Sequence, residues 1–363
     1  MRKYQIATIA GDGIGPEVTQ STIRVLREAC GSNVLDFEPF EGGAAHYRKT
    51  GDVLPKDTYA ACRDMDAVLH GAAGLPDVTY PDGTEVGNDF ILRLRVGLDL
   101  YANVRPIKLL PGVASPLRGF DGGGIDYVIV RENTEGLYAS RGAGIVLRDE
   151  LAFDTLLVTR AGTERIARFA FELARKRHGA PRDGQARVTV CDKANILRSY
   201  AFFRAVCTDV HRQYIDVAID YAYIDAMTVY LVKRPDFYDV IVAENLFGDI
   251  ISDLGGATVG GMGIAPSGEI GDTHALFQGA HGSAPDIAGQ DVASPLATIL
   301  SGVMMLRWLG DRHEDERLRQ AADAIDAATG RVLAERRAVP RDLGGQASCS
   351  EVTDAICQAL AAA

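Results

Sequence analysis

"YQIATIAGDGIGPEVTQSTIRVLREA", residues 4–29, passes from an apolar run through a glycine-rich turn into a segment with helical spacing. Val18, Ile23, Val25 and Leu26 recur at the interval of a buried helix face, so the stretch predicts strand, turn, helix. The succession then repeats. "MDAVLHGAAG" (65–74) predicts a strand ending in glycines, "DFILRLRVGLD" (89–99) a helix, and "YANVRPIKLL" (101–110) and "IDYVIVREN" (125–133) two further strands. "TERIARFAFELARKR" (163–177) has a helical period, with Thr163 as N-cap and Ile166, Phe169, Ala170 and Leu173 on one face. "ARVTVCDKAN" (186–195) and "YDVIVAENLFGDI" (238–250) again run from strand into loop or helix. This alternation predicts an α/β fold. "GAGIVLRDELAFDTLLVTR" (142–160) breaks the rhythm with two short strands and no helix between them, a hairpin suited to packing against a partner subunit.

A chain of 363 residues is long enough for two lobes, and no Ser- or Pro-rich linker marks a boundary, so crossings are expected at ordinary loops. Hydrophobic residues make up 47% and charged residues 24%, with 39 glycines, the profile of a turn-rich globular protein. The formal net charge of -11 argues against a nucleic-acid partner, whose phosphates call for a basic surface. An anionic small molecule stays open if arginines gather locally. Cys30, Cys62, Cys191, Cys207, Cys349 and Cys357 form no CxxC pair and read as free thiols in a reducing cytoplasm. The opening "MRKYQIATIAGDGIG" lacks the apolar core of a signal peptide. "LATILSGVMML" (296–306) is too short to span a bilayer and reads as a buried helix, so no membrane partner is expected.

Chemistry enters with "NLFGDIISDLGG" (245–256), where Asp249 and Asp253 lie one helical turn apart. Like charges at that spacing repel mildly. Either both point into water, or something positive stands between them. Asp225, in "YIDAMTVYL" (223–231), is a third carboxylate, and hard oxygen donors of this kind suit Mg²⁺ or Mn²⁺. Arg93, Arg95, Arg105 and Arg131 are candidates for bidentate pairing with substrate carboxylates. Arg93 and Arg95 cannot share a helix face, and Arg95 is assigned inward and Arg93 to solvent. Arg131 ends an apolar strand, where α/β proteins usually bind ligands. Lys193 follows another strand and Tyr138 lies in "EGLY"; both can move protons. "GDGIGPE" lacks the spacing of a dinucleotide fingerprint, so a classical Rossmann reading is weak. "HGSAPDIAG" (281–289) is a second small-residue loop able to approach a phosphate, and its Asp286 suits a ribose diol.

Together "GDGIGPEV", "LDLYANVRP", "VRENTEGLY", "DKANIL", "NLFGDIISDLGG", "GGMGIAPSGEIGD" and "HGSAPDIAG" resemble the isocitrate/isopropylmalate dehydrogenase family of metal-dependent, β-decarboxylating dehydrogenases. The resemblance implies two α/β lobes around a shared sheet, distinct from the Rossmann fold. A cofactor-binding lobe would join 1–105 to 265–363, and 106–264 would form the substrate, metal and dimerisation lobe. It further implies a homodimer whose active site takes Lys193 and Asp225 from the partner chain. By the same resemblance Arg95, Arg105 and Arg131 hold substrate carboxylates, Asp225, Asp249 and Asp253 hold Mg²⁺ or Mn²⁺, and Tyr138 and Lys193 transfer protons. His281, Gly282, Ser283, Ala284, Asp286 and Ile287 would bind the cofactor. NADP-using relatives tend to carry lysine and tyrosine where Asp286 and Ile287 stand, and an acidic side chain repels a 2′-phosphate, so NAD is expected.

The implied substrate is a 2-hydroxy dicarboxylic acid, a malate substituted at C3. The specificity segment "EVGNDFILRLR" (85–95) carries Ile91 and Leu92, similar to the apolar pair of isopropylmalate and D-malate/tartrate enzymes. An apolar wall rejects a third carboxylate, since an unpaired buried charge costs roughly several kcal/mol. It separates alkyl groups by only about 1–3 kcal/mol per methylene. "YANVRP", "RENTEGLY" and "GGMGIAPSGEIGDT" look more like the homoisocitrate and isocitrate branch. Weighting the pocket residues favours 3-isopropylmalate or a similar 3-alkylmalate. D-malate/tartrate, homoisocitrate or isocitrate oxidation, or a non-catalytic regulatory subunit, are the alternatives. Gln278-Gly279 stands where the family usually has Glu-Pro, and Ser294 where an asparagine commonly meets the adenine.

Overall fold

A computed structural model of the chain describes residues 2–362. The chain forms two compact units, one of Met1–Leu100, Leu110–Ala114 and Gly260–Ala363, the other of Tyr101–Leu109 and Ser115–Val259.

The first unit begins with β1 (Tyr4–Gly11), α1 (Gly15–Cys30), β2 (Leu35–Pro39), α2 (Ala44–Thr50), α3 (Lys56–Asp64), β3 (Ala67–Ala72) and α4 (Gly87–Gly97). The second unit contains β4 (Ala102–Lys108), β5 (Asp126–Glu132), β6 (Ile145–Leu147), β7 (Leu151–Phe153), α5 (Arg160–Lys176), β8 (Arg187–Asp192), α6 (Arg198–His211), β9 (Ala218–Tyr223), α7 (Ile224–Lys233), β10 (Val240–Ala243) and α8 (Asn245–Thr258). The chain then returns to the first unit with β11 (Pro266–Ile270), β12 (Ala275–Gly279), α9 (Leu296–Arg312), α10 (Glu316–Ala334) and α11 (Cys349–Ala361).

Strands of the first unit run in the order β2-β1-β3-β12-β11, parallel except for the antiparallel pair β11 and β12. Those of the second run β4-β5-β10-β8-β9, parallel except for β4 against β5. Every residue of β3, β8 and β10 is buried, the pattern of parallel strands covered on both faces. In the first unit α9 packs against β11, β12 and α1. In the second, α5 covers β5, β8 and β10, and α8 covers β4, β5 and β10.

Most local expectations hold, and two change in detail. The N-cap of α5 is Thr159, one turn before the predicted Thr163; its side chain accepts from the Gly162 N–H at 3.0 Å. Thr163 lies inside the helix with its hydroxyl on the Thr159 carbonyl, because residues 160–162 extend the helix backwards. The buried face of α5 is also turned slightly, burying Ala167, Phe171 and Ala174 beside Ile166 and Ala170 and leaving Phe169 and Leu173 half-buried. The expected hairpin is β6 with β7, antiparallel, and its apolar side chains are exposed. All six cysteines are free thiols, and among the described residues no helix is long and apolar enough to cross a membrane.

Asp315, the N-cap of α10, accepts from the Arg317 N–H at 3.1 Å and from the Tyr4 hydroxyl at 3.0 Å. Hydrogen bonding from the Arg317 guanidinium holds its carboxyl at about 2. The folded value lies below the unfolded one, so this stabilisation is complete above about pH 4 and is lost as pH falls through about 2. Asp315→Ala should lower stability by about 1 kcal/mol near neutral pH, measured by urea unfolding, and the deficit should shrink as the pH is lowered.

Candidate active site

The helix α8 starts directly after β10 and is capped by Glu244, whose carboxylate accepts from the backbone N–H groups of Leu246 and Phe247. Asn245, Asp249, Ser252 and Asp253 follow at helical spacing and share one face. That face meets the carboxyl end of β5. There Arg131, 1% exposed, donates through Nε and Nη2 to Asn245 Oδ1 at 2.9 and 2.7 Å, and through Nη1 to Asp249 Oδ1. The approach is close enough that a Cβ at Gly248 would lie 2.7 Å from both Cβ and Cγ of Arg131. Glycine is required there by contact.

Arg105, on β4, is the group between the two aspartates. Its Nη2 lies 3.4 Å from Asp249 Oδ1, and its Nη1 donates to Asp253 Oδ1 at 3.1 Å and to Ser252 Oγ at 2.7 Å. Asn103 fixes the other side of the guanidinium by accepting from Nε at 2.8 Å. The Tyr138 hydroxyl donates to Asp249 Oδ2 at 3.2 Å, and the Arg131 guanidinium lies 5.5 Å from the Tyr138 ring centre. Burial raises the Asp253 carboxyl above its ordinary value, followed by the opposing pull of Arg105. Five predicted residues, Arg105, Arg131, Tyr138, Asp249 and Asp253, therefore form one cluster.

Lys193 and Asp225 are not in it. Lys193, just after β8, pairs with Asp225 at 2.5 Å, and that bond holds the Asp225 carboxyl below its usual range. Among the described residues no three His, Cys, Asp or Glu side chains converge on a metal-sized site within one chain. Within one chain Arg105 lies between Asp249 and Asp253.

In the first unit α4 buries Ile91 in the core with Phe90 and Leu94, while Leu92 packs half-buried against the same cluster. Ile91 keeps 9% exposure within this cluster. Arg95 is buried at 7% exposure, whereas Arg93 is exposed and paired with Asp89. Arg95 meets a carboxylate of its own chain: Nε and Nη2 donate to the two oxygens of Glu269 at 3.0 and 2.7 Å.

The loop 281–289 is tied to the glycine turn after β1. The Ile14 N–H donates to the Ser283 carbonyl at 2.8 Å, and a Cβ on Gly13 would lie 1.9 Å from that oxygen. The Ser283 hydroxyl donates to the Gly74 carbonyl, and Ala284 and Ile287 pack on Ile14, Val18 and Ala293. Gly282 faces open space and Asp286 is exposed. His281 donates from Nδ1 to the Gly282 carbonyl at 3.0 Å and meets Thr298 Oγ1 through Nε2 at 3.2 Å. Burial lowers its pKa. A Cβ at Gly279 would come within 2.3 Å of Nε2, so a larger residue there would require the imidazole to move. The Ser294 hydroxyl is committed to the Gly263 carbonyl at 3.0 Å.

The sequence model of isocitrate/isopropylmalate dehydrogenase matches residues 5–356. The chain belongs to that family. It is 44% identical over 354 residues to a 3-isopropylmalate/3-methylmalate dehydrogenase of Methanocaldococcus jannaschii, covering 97% of this chain and 98% of that one. A 3-isopropylmalate dehydrogenase of Corynebacterium glutamicum is 42% identical, with 98% and 99% covered. Among solved structures, isocitrate dehydrogenase from Methylococcus capsulatus superposes with a TM-score of 0.86 at 34% identity, covering 98% of this chain and 99% of that one. The TT0538 protein of Thermus thermophilus gives 0.87 at 37% identity, covering 99% of this chain and 68% of that one. The protein is therefore an oxidoreductase of the β-decarboxylating dehydrogenase type, acting on a CH–OH group.

The donor chemistry fits the expected divalent cation as half a site: Asp249 and Asp253 present carboxylate oxygens on one helix face, and Asp253 is 58% exposed. The 281–289 loop fits the expected cofactor as well, with small residues, an open Gly282 and an exposed carboxylate at Asp286. Asn245, Ser252 and Asn103, which hold Arg131 and Arg105, and Glu269, which holds Arg95, are partners that the sequence reading missed. Asn245 and Ser252 could have been found from the period of 249 and 253; Glu269 carries no local signal.

Gly248→Ala should force α8 away from Arg131 and destabilise the protein by about 1–3 kcal/mol, read by urea unfolding.

Proposed function

We propose that the protein catalyses NAD- and divalent-metal-dependent oxidative decarboxylation of a 3-alkylmalate, with 3-isopropylmalate the best substrate. The observation that carries this reading is the cluster in which Arg105 and Arg131 present buried guanidinium groups beside Tyr138, Asp249 and Asp253. The names of the relatives and the apolar pair Ile91 and Leu92 support the alkyl side chain. Arg105, Arg131 and Arg95 hold the substrate carboxylates by charge-assisted hydrogen bonds. Lys193 takes the proton of the 2-hydroxyl, and Tyr138 returns one to C3 after CO2 leaves. Asp249, Asp253 and Asp225 hold Mg²⁺ or Mn²⁺, and Asp286 takes the ribose hydroxyls of NAD, with His281, Gly282, Ser283, Ala284 and Ile287 shaping the loop. When bound, the cation supplies Lewis-acid stabilisation of developing negative charge, and the nicotinamide accepts the hydride.

The first unit serves the cofactor and the second the substrate, the metal and dimerisation. Lys193 and Asp225 act in the site of a neighbouring protomer. Their mutual contact at 2.5 Å supports this, since a second copy would deliver both together. The surface it requires is apolar: Ile145, Val146, Leu147, Leu151 and Phe153 of the hairpin are exposed, as are Val229 and Val232 on α7 and Ile250 on α8. Six free thiols suit a cytoplasmic setting.

The test is NAD reduction with Mg²⁺ or Mn²⁺ over 3-isopropylmalate, D-malate, tartrate, isocitrate and homoisocitrate. The alkylmalate should turn over best, and preference for a tricarboxylate would reject the substrate assignment. Asp253→Asn should raise the metal concentration needed for half activity and cut turnover while leaving the fold intact by circular dichroism. Val146→Asp should shift the protein toward monomer in light scattering and lower activity in proportion, because each site would lose the partner's lysine.

A further inference from the structure

We propose that Glu269 is a positioning residue for substrate binding, holding Arg95 in one orientation, and that Gln278 is present because Glu269 is. This inference rests on the reading that Arg95 binds a substrate carboxylate.

Glu269 lies on β11 with no exposure at all, and Arg95 reaches it from α4. A carboxylate so buried demands compensation, and it receives two charge-assisted bonds from Nε and Nη2 of Arg95. A third bond comes from Gln278 Nε2, which donates to Glu269 Oε1 at 3.0 Å. The register explains that contact. Gln278 on β12 stands opposite Ser267, so Glu269, two residues along β11, projects from the same face as its diagonal neighbour.

The arrangement has two consequences. Three hydrogen bonds on one carboxylate lock the plane of the Arg95 guanidinium, and with it the direction in which that group meets a ligand. The identity of residue 278 is also constrained. A glutamate there would place a second carboxylate 3.0 Å from the first, and the two could not both ionise. An amide donates where an acid would repel. The amide at 278 thus serves the carboxylate that holds Arg95.

Four variants of the full-length enzyme test this, with KM and kcat measured on 3-isopropylmalate with NAD and Mg²⁺. Glu269→Gln should raise the substrate KM by about tenfold with little change in kcat or in the KM for NAD. It should add nothing further in an Arg95→Met background. Gln278→Glu should raise KM at about pH 9 and recover toward about pH 6, as the new acid pair takes up a proton. Combining Glu269→Gln with Gln278→Glu moves the carboxylate across the strand pair and should restore KM to within about threefold, a rescue that mere loss of packing would not give. An unchanged KM in Glu269→Gln, with a raised KM in Arg95→Met, would overturn the proposal and leave the substrate reading standing. An unchanged KM in Arg95→Met would remove the substrate role of Arg95 and the proposal with it. If Glu269→Gln does not fold, the pH profile of Gln278→Glu decides, and a KM that follows the parent enzyme at every pH overturns the proposal.

Discussion

The buried guanidinium of Arg131 is the constraint on which the second unit's site depends. A cation at the end of an interior strand must be paired, and removing one partner from such a group costs about 3–5 kcal/mol because the charge left behind has nowhere to go. Arg131 finds Asn245 and Asp249 in successive turns of α8. That pairing fixes the rotation of the helix about its axis, and Gly248 sets how closely it can approach. Once rotation and distance are set, Ser252 and Asp253 come to Arg105 and Asp249 comes to the Tyr138 hydroxyl. The cluster is one interaction propagated along a helix face.

Charge also explains how a chain with a net charge of -11 can favour an anionic substrate. Many of the acidic residues are exposed, while Arg95, Arg105 and Arg131 lie buried at 7%, 9% and 1% exposure, where solvent screens them least. Their fields act locally and over short distances. Each is also restrained by a carboxylate or amide of its own chain, so the cationic groups are oriented before a ligand arrives.

Much of the fold was readable because buried parallel strands and amphipathic helices impose periods on the sequence, as in β5, β8 and α1. Cap positions were less readable. Thr159 and Thr163 are both acceptable caps, and only the fate of residues 160–162 separates them. At the site, Arg131, Asp249 and Asp253 announced themselves through local spacing and strand ends. Glu269 did not, because its partner lies 174 residues away in sequence and the pairing exists only once α4 and β11 are folded. Gln278 and Gly279 carry no local signal of what they meet, a carboxylate on the neighbouring strand and the imidazole of His281. Ile91 and Leu92 pack in and against one apolar cluster, and apolarity alone does not tell a core from a pocket.

The order of elements along the chain bears on how the protein is made. On the ribosome, β1 to β3 emerge early, yet β3 must await β12, which follows the entire second unit. The nascent first unit therefore waits as a partial sheet with an apolar edge, while the later-synthesised segment holds all the strands it needs for its own. Translation thus favours maturation from the middle outward, and the waiting amino-terminal segment is where a holdase would have the most to protect.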